Sequence, residues 1–191
     1  MVELNAGNVI EGAWFIWIVW WLVSATRLNR MKQREPAGEW LLRFVLMFAA
    51  FWLLFRSGAY LGDLNSRFVP HNTLVRDAGA ALTCLGLAFS IWARQHIGRY
   101  WSSTVSLRAD HQLIRTGPYA RIRHPIYTGI LLALTGTVLA DGHYRAIVAF
   151  VIILAGLIWK ARQEENLLTR EFGPAFEEHK RLTGFFLPRF S

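Results

Sequence analysis

Two short stretches of the chain hold most of the side chains that could do chemistry. The first runs His111-Gln112-Leu113-Ile114-Arg115-Thr116-Gly117-Pro118-Tyr119 and then Arg121-Ile122-Arg123-His124-Pro125-Ile126-Tyr127-Thr128-Gly129. Proline fixes φ and lacks an amide donor, so Gly117-Pro118 enforces a turn and Pro125 suits the first turn of a following helix, with His124 at or near its cap. Arg123 and His124 then stand at a helix N-terminus, whose partial positive charge adds to theirs, and the place favours an anionic group. The second stretch is Lys160-Ala161-Arg162-Gln163-Glu164-Glu165, followed by Phe172-Gly173-Pro174-Ala175-Phe176 and His179. If a helix continues past Trp159, Lys160 and Glu164 share a face at i, i+4, and Arg162 and Glu165 pair at i, i+3. A carboxylate one turn beyond the apolar run, on the returning arm of a hairpin, faces the His124 mouth. The plainer reading is an interfacial loop, with Trp101, Tyr119 and Tyr127 in an aromatic belt, arginines on headgroup phosphates and a solvated helix-end salt bridge. The density of His, Arg, Tyr, Gly and Pro within a dozen residues of an apolar helix favours a site.

The elements that must position these residues are read from composition. Of 191 residues, 53% are apolar, with 9 Trp and 13 Phe, yet the formal net charge is +8. A soluble fold of this size has too little interior for that much apolar surface, so the excess points to lipid. A basic nucleic-acid binder would cluster its charges on polar or amphipathic elements, whereas here they separate apolar runs, which argues against nucleic acid as a partner. The single Cys84 excludes an intramolecular disulfide and a thiolate-rich zinc site, and no metal site is expected. No repeat or flexible linker stands out, so residues 1–191 read as one integrated membrane domain.

Five apolar runs predict an all-α integral membrane protein with spans at about 9–26, 41–61, 77–95, 125–140 and 144–160. The first is too rich in Trp for a cleavable signal, and is expected to remain as a span. Arg43 and Arg56 stand near the two ends of the second, where they are expected to snorkel toward headgroups. The third carries Gly79, Ala81, Cys84, Gly86 and Ala88, small residues that let a neighbouring helix come close in lipid. The last two runs are separated only by Asp141-Gly142-His143-Tyr144-Arg145 and predict an antiparallel helical hairpin. Sixteen of the 21 Lys and Arg residues fall in the connection before the second run, in 94–124 and in the tail after Trp159. Positive loops stay in the cytoplasm, so the expectation is N-terminus out, C-terminus in, and a cytoplasmic pocket formed by 99–129 and 160–190.

The pattern His111-x-Leu113-x-x-x-Gly117-x-Tyr119-x-x-x-Arg123-His124-Pro125-x-Tyr127-x-Gly129, with Glu164-Glu165-x-x-Leu168-x-x-x-Phe172-Gly173-x-x-Phe176 about thirty-five residues later, resembles the isoprenylcysteine carboxyl methyltransferase family. A wider superfamily includes phospholipid N-methyltransferases. The resemblance covers roughly 99–190. It implies a membrane enzyme that uses S-adenosyl-L-methionine without a Rossmann domain, and the chain has no Gly-x-Gly-x-x-Gly. It further implies that His111, Leu113, Gly117, Pro118, Tyr119, Arg123, His124, Pro125, Tyr127 and Glu164 line the cofactor pocket. Glu164 takes the part of the functional glutamate, with Lys160 and Arg123 beside it as catalytic candidates. Arg162 and Glu165 are the substrate-binding candidates. The chain departs from the family pattern in having Lys160 where Arg is common, and Phe176 and His179 where Tyr is common.

These expectations specify a reaction. Methyl transfer from a sulfonium is an in-line displacement, so the enzyme must align donor and acceptor and exclude water. A lipophilic thioether acid of the isoprenylcysteine kind presents an α-carboxylate, which is already ionised at neutral pH and needs cations rather than a base. A phospholipid amine arrives protonated and needs Glu164 or Glu165 to take the proton. The other readings are a nicotinamide-dependent membrane reductase and a non-catalytic membrane adaptor whose basic segments bind anionic lipid. The expected partners are membrane lipids and a lipophilic small-molecule or prenylcysteine-like substrate.

Overall fold

A computed structural model describes residues 5–25, 37–56, 59–98, 101 and 113–190. The basic connection 27–34, Arg99, and the loop 102–112 with His111 lie outside these residues. Among the described residues the fold is helical throughout: α1 (Ala6–Ala25), α2 (Ala37–Phe55), α3 (Thr73–Ile97), α4 (Pro125–Asp141), α5 (Tyr144–Phe172) and α6 (Pro174–Leu182), with short 3-10 turns at Ala59–Asn65 and Gly117–Ala120. Among the described residues three helices, α1, α3 and α5, are long and apolar enough to cross a membrane, and two shorter apolar helices span Leu41–Phe55 and Pro125–Asp141. Phe15, Ile16 and Leu22 of α1 and Phe44 and Phe48 of α2 are exposed. Such a face suits lipid, and the chain is a multi-pass membrane protein.

The centre of the fold is the antiparallel pair α3 and α4, joined along a seam of small residues. A Cβ at Gly86 would fall 2.4 Å from the Ala133 amide nitrogen and 2.6 Å from the Gly129 carbonyl oxygen, and one at Gly136 would fall 2.4 Å from the Gly79 carbonyl oxygen. The backbones therefore touch, which only glycine permits at these positions. Of the small residues noted in the sequence, Gly79 and Gly86 form this seam, whereas Ala81 and Ala88 face outward. Hydroxyls and indoles complete the packing. Thr83 Oγ1 donates to the Gly79 carbonyl at 2.9 Å and lies 3.2 Å from Thr137 Oγ1, while Trp14 Nε1 donates to Thr137 Oγ1 at 3.0 Å and Trp17 Nε1 to Ser90 Oγ at 2.7 Å. These bonds tie α1 to both seam helices and give both indole donors an acceptor.

α4 and α5 form the expected hairpin, and its closed end is buried more deeply than a polar turn would be. Arg145 donates to the last carbonyls of α2, on Leu53 and Leu54, and its Nη2 meets Asp141 Oδ1 at 2.6 Å. It thus caps a helix C-terminus whose carbonyls have no intrahelical partner. α5 does continue past Trp159, through the charged residues to Phe172. Arg43 corrects an expectation: it is only 7% exposed and its Nη1 donates to Gln163 Oε1 at 3.4 Å. The packing of α2 on α5 gives this guanidinium a protein acceptor, which replaces the headgroup it was expected to reach. Arg56, just past the end of α2, is exposed.

Candidate active site

His124 is the N-cap of α4 and Pro125 its first helical residue. The open end of the hairpin brings α5 back beside this cap, one turn past its apolar stretch. Glu165 Oε1 accepts from Arg123 Nε at 2.6 Å and lies 3.2 Å from His124 Nε2. Glu164 Oε1 accepts from the Tyr127 hydroxyl at 2.6 Å, and its Oε2 lies 3.6 Å from His124 Nδ1. Lys160, one turn earlier, sits 3.7 Å from Glu164 Oε1 and 5.6 Å above the Tyr127 ring. The anion that the helix N-terminus favours is thus supplied by the chain itself, from residues some forty positions away. The His124 side chain is 6% exposed, Arg123 14% and Glu165 15%, so the charges are held out of bulk water and paired.

Burial by itself would push the His124 imidazolium toward losing its proton. Hydrogen bonds to Glu164 and Glu165, and their charge, outweigh that and hold its pKa above the ordinary histidine value. Tyr119 is buried, and burial raises its phenol well beyond the ordinary value, so it remains a neutral donor, directed at the Ala93 carbonyl.

A third segment completes the cluster. After α6 the tail runs beside residues 121–124 and pairs with them through backbone: Arg123 N donates to the Gly184 carbonyl at 2.9 Å, His124 N to Phe185 at 3.2 Å, and Gly184 N to Arg121 at 3.0 Å. The Arg123 guanidinium also donates to the Lys180 and Thr183 carbonyls. Phe185 meets the His124 ring edge-on at 5.0 Å, while Tyr127 stacks on it with only 8° between the planes. Phe176 and His179 are both buried.

The sequence candidates are distributed as follows. Arg123, His124, Pro125, Tyr127, Lys160, Glu164 and Glu165 converge. Tyr119 and Pro118 are buried in the adjoining 3-10 turn, and Gly117, with φ of +56°, lies against His96, where any Cβ would strike the imidazole. Leu113 is half-buried, and His111 lies outside the described residues. Arg162 is exposed and points away from the face shared by Lys160 and Glu164. Sequence reasoning missed Thr183, Phe185 and Phe186, whose only signal was an aromatic pair after a glycine. It also missed Arg43, Glu39 and Gln163, which line up beside the cluster with Gln163 Nε2 donating to Glu39. Among the described residues no three His, Cys, Asp or Glu side chains are grouped as metal ligands.

The model of the isoprenylcysteine carboxyl methyltransferase family matches residues 79–170, which contain the α3–α4 seam, the hairpin and all the converging side chains. A protein-S-isoprenylcysteine O-methyltransferase of Schizosaccharomyces pombe is 30% identical over 105 residues, 51% of this chain and 43% of that one. The cobalt-zinc-cadmium resistance protein CzcN of Cupriavidus metallidurans is 30% identical over 167 residues, 86% of this chain and 68% of its own. The chain belongs to the isoprenylcysteine carboxyl methyltransferase family. The fold agrees: the solved structure of the eukaryotic intramembrane Ras methyltransferase ICMT superposes on 81% of this chain and 53% of its own with TM-score 0.54 and 22% identity. The nickel-cobalt-cadmium resistance protein NccN of Alcaligenes xylosoxydans is 34% identical over 118 residues, 59% of this chain and 52% of its own. The chain thus spans about half the length of most of the curated family relatives it matches. The family match coincides with the part of the chain in which the two motifs meet.

Proposed function

We propose that this chain is a membrane methyltransferase that uses S-adenosyl-L-methionine to esterify the carboxylate of a lipophilic, isoprenylcysteine-like thioether acid. In this reading residues 1–191 form one domain, all five apolar helices cross the bilayer with the N-terminus outside, and the cluster at the open end of the hairpin faces the cytoplasm. The observation that carries it is the convergence of Glu164 and Glu165 on Arg123, His124 and Tyr127, because the two family motifs become one hydrogen-bonded unit.

A sulfonium cofactor with an amino-acid end carries both signs of charge, and the cluster presents both. Glu164 with Tyr127, the positive groups Arg123 and His124, and the aromatic faces of Tyr127 and Phe186 would hold it, together with the turn at Gly117, Pro118 and Tyr119. When bound, the cofactor supplies an electrophilic methyl group. The chain's own work is then alignment and exclusion of water. His124, whose protonated form the two carboxylates favour, offsets their charge and fixes their orientation. The tail strap, anchored through Arg123, closes one side of the cluster. Lys160 is the cation best placed to meet an acceptor carboxylate; Arg162 takes no part in this reading. An ionised carboxylate needs no base, which suits a site whose two glutamates are already engaged by cations. A phospholipid amine would require one of them to take a proton, so N-methylation is the less favoured reading.

The test is transfer of a labelled methyl group from the cofactor by purified protein to an S-prenylated cysteine acid, offered beside phosphatidylethanolamine. Label is expected in a base-labile ester. Label in the phospholipid alone would replace the reading with N-methylation, and tight binding of a nicotinamide cofactor without methyl transfer would replace it with a reductase.

A further inference from the structure

The opposite end of the α4–α5 hairpin holds a cavity that the proposed methyl transfer does not use. Its volume is about 260 Å³, and it lies where the starts of α1 and α3, the end of α2 and the α4–α5 turn meet. The 17 residues of α4, at about 1.5 Å each, put roughly 25 Å between this cavity and the His124 cluster. Its floor is apolar, with Ile10, Leu54 and Phe55. Its walls carry both signs of charge: Glu11 from α1, Arg67 and His71 from the α2–α3 connection, and Arg76 from the start of α3.

The wall groups differ in how they are used. Asp141 is taken by Arg145 at 2.6 Å and by His143 Nδ1 at 3.1 Å, and Arg67 Nε donates to the Val69 carbonyl. The side chains of Glu11, His71 and Arg76 form no hydrogen bond or ion pair with another described residue. Glu11 and His71 are exposed and Arg76 half-buried, so water reaches them, and an acid and a base at one cavity mouth match a ligand with a phosphate and an ammonium on a short linker. The cavity is smaller than the roughly 300–1,000 Å³ of drug-sized pockets, so it takes a headgroup and leaves any tail outside. A place for the tail exists at the cavity rim, where the lining residue Phe55 is 41% exposed.

We propose that this cavity binds the zwitterionic headgroup of a membrane phospholipid, its phosphate on Arg76 with Arg67 and His71 and its ammonium on Glu11. The site is structural or regulatory in placement, since it is separated from the proposed catalytic cluster by the length of a helix. The test is native mass spectrometry of delipidated full-length protein in detergent, titrated with phosphatidylethanolamine, phosphatidylglycerol and soluble phosphoethanolamine. Phosphatidylethanolamine is expected to bind about tenfold more tightly than phosphatidylglycerol, as one charge-assisted contact allows. Arg76→Ala should weaken both lipids about tenfold, whereas Glu11→Gln should erase the preference and leave phosphatidylglycerol binding unchanged. Unchanged binding in both variants overturns the proposal. Equally tight binding of soluble phosphoethanolamine overturns the assignment to a lipid. Thermal unfolding in lipid-free detergent checks that both variants are folded, and none of these readouts depends on methyl transfer.

Discussion

Replacing Glu165 with Gln removes one charge and keeps the shape, so its effect isolates what that charge does for two cations at once. The carboxylate lies 2.6 Å from Arg123 Nε and 3.2 Å from His124 Nε2. Removing one partner of a buried ion pair costs about 3–5 kcal/mol. Here Arg123 keeps two carbonyl acceptors and the Gln oxygen still accepts, so about 2–3 kcal/mol is the expected loss of stability. The two cations report separately. Arg123 stays charged at every accessible pH, so its share of the loss does not vary. His124 has a folded pKa raised above the ordinary 6.5, so the stability it contributes is fully present below pH 6.5 and disappears as pH rises through the folded value. In Glu165→Gln only Glu164 supports the imidazolium, and that contribution shrinks. The gap between wild type and variant is therefore largest below pH 6.5 and narrows as pH rises through the folded His124 value, above which Arg123 alone remains. Thermal unfolding followed by tryptophan fluorescence in detergent, from pH 5.5 to 9, measures it. A gap that does not change with pH would refute the assignment of a protonated His124, and no gap at all would refute the buried pair.

Tyr127→Phe keeps the ring stacked on His124 and loses the donor to Glu164; stability should fall by about 1 kcal/mol while kcat/KM for the prenylated acid falls roughly ten- to hundredfold, measured side by side in the methyl-transfer assay. Gly86→Leu forces α3 and α4 apart, because even a Cβ falls 2.4 Å from Ala133 N, and should cost about 3 kcal/mol in thermal unfolding at every pH; Gly12→Ala, with open space around the new methyl, should be neutral or slightly stabilising. His179 is pushed toward the neutral form by burial and then by Arg115 and Arg123, so wild-type stability should decline as pH falls below 6.5, and His179→Gln should flatten that acid limb in the same unfolding assay.

The parts of this fold that were legible in the sequence are those encoded locally. Proline at position 125 announces the start of α4, Gly117-Pro118 announces a turn, and apolar runs interrupted by charge announce the helices, because each depends on a few neighbouring residues. The meeting of Glu164 with the His124 cap was also readable, since a five-residue polar turn leaves a hairpin no other return path. Arg43 was misjudged as a headgroup anchor, and Arg145 was read only as one residue of the polar turn. An arginine near the end of an apolar run reads as an anchor in headgroups. Which face it presents depends on the helix packed against it: α5 offers Gln163 to Arg43, and α2 offers its terminal carbonyls to Arg145. The segment 160–190 was expected at the pocket, but the pairing of 183–186 with 121–124 escaped notice because it is carried by backbone hydrogen bonds, which leave no mark on residue types.

The seam glycines and the charged cluster belong to one design. Glycines at 79, 86, 129 and 136 let α3 and α4 touch along their backbones, which fixes where the α4 N-terminus stands relative to the 3-10 turn packed on α3. His96 of α3 contacts Thr116 at 2.9 Å and fills the space over Gly117, while Tyr119 reaches Ala93. The loop carrying Arg123 and His124 is therefore held from below by α3, from the side by α5 through Glu164 and Glu165, and from above by the tail. Each of these three supports is made of hydrogen bonds, through the Thr116 and Tyr119 hydroxyls to α3, through the charged side chains to α5 and through backbone to the tail, so the positions of Arg123 and His124 are overdetermined. In the proposed function, a cation pair that keeps two carboxylates oriented while a charged cofactor binds needs that rigidity, because a shift of about 1 Å in such a site is enough to cost a hundredfold in rate.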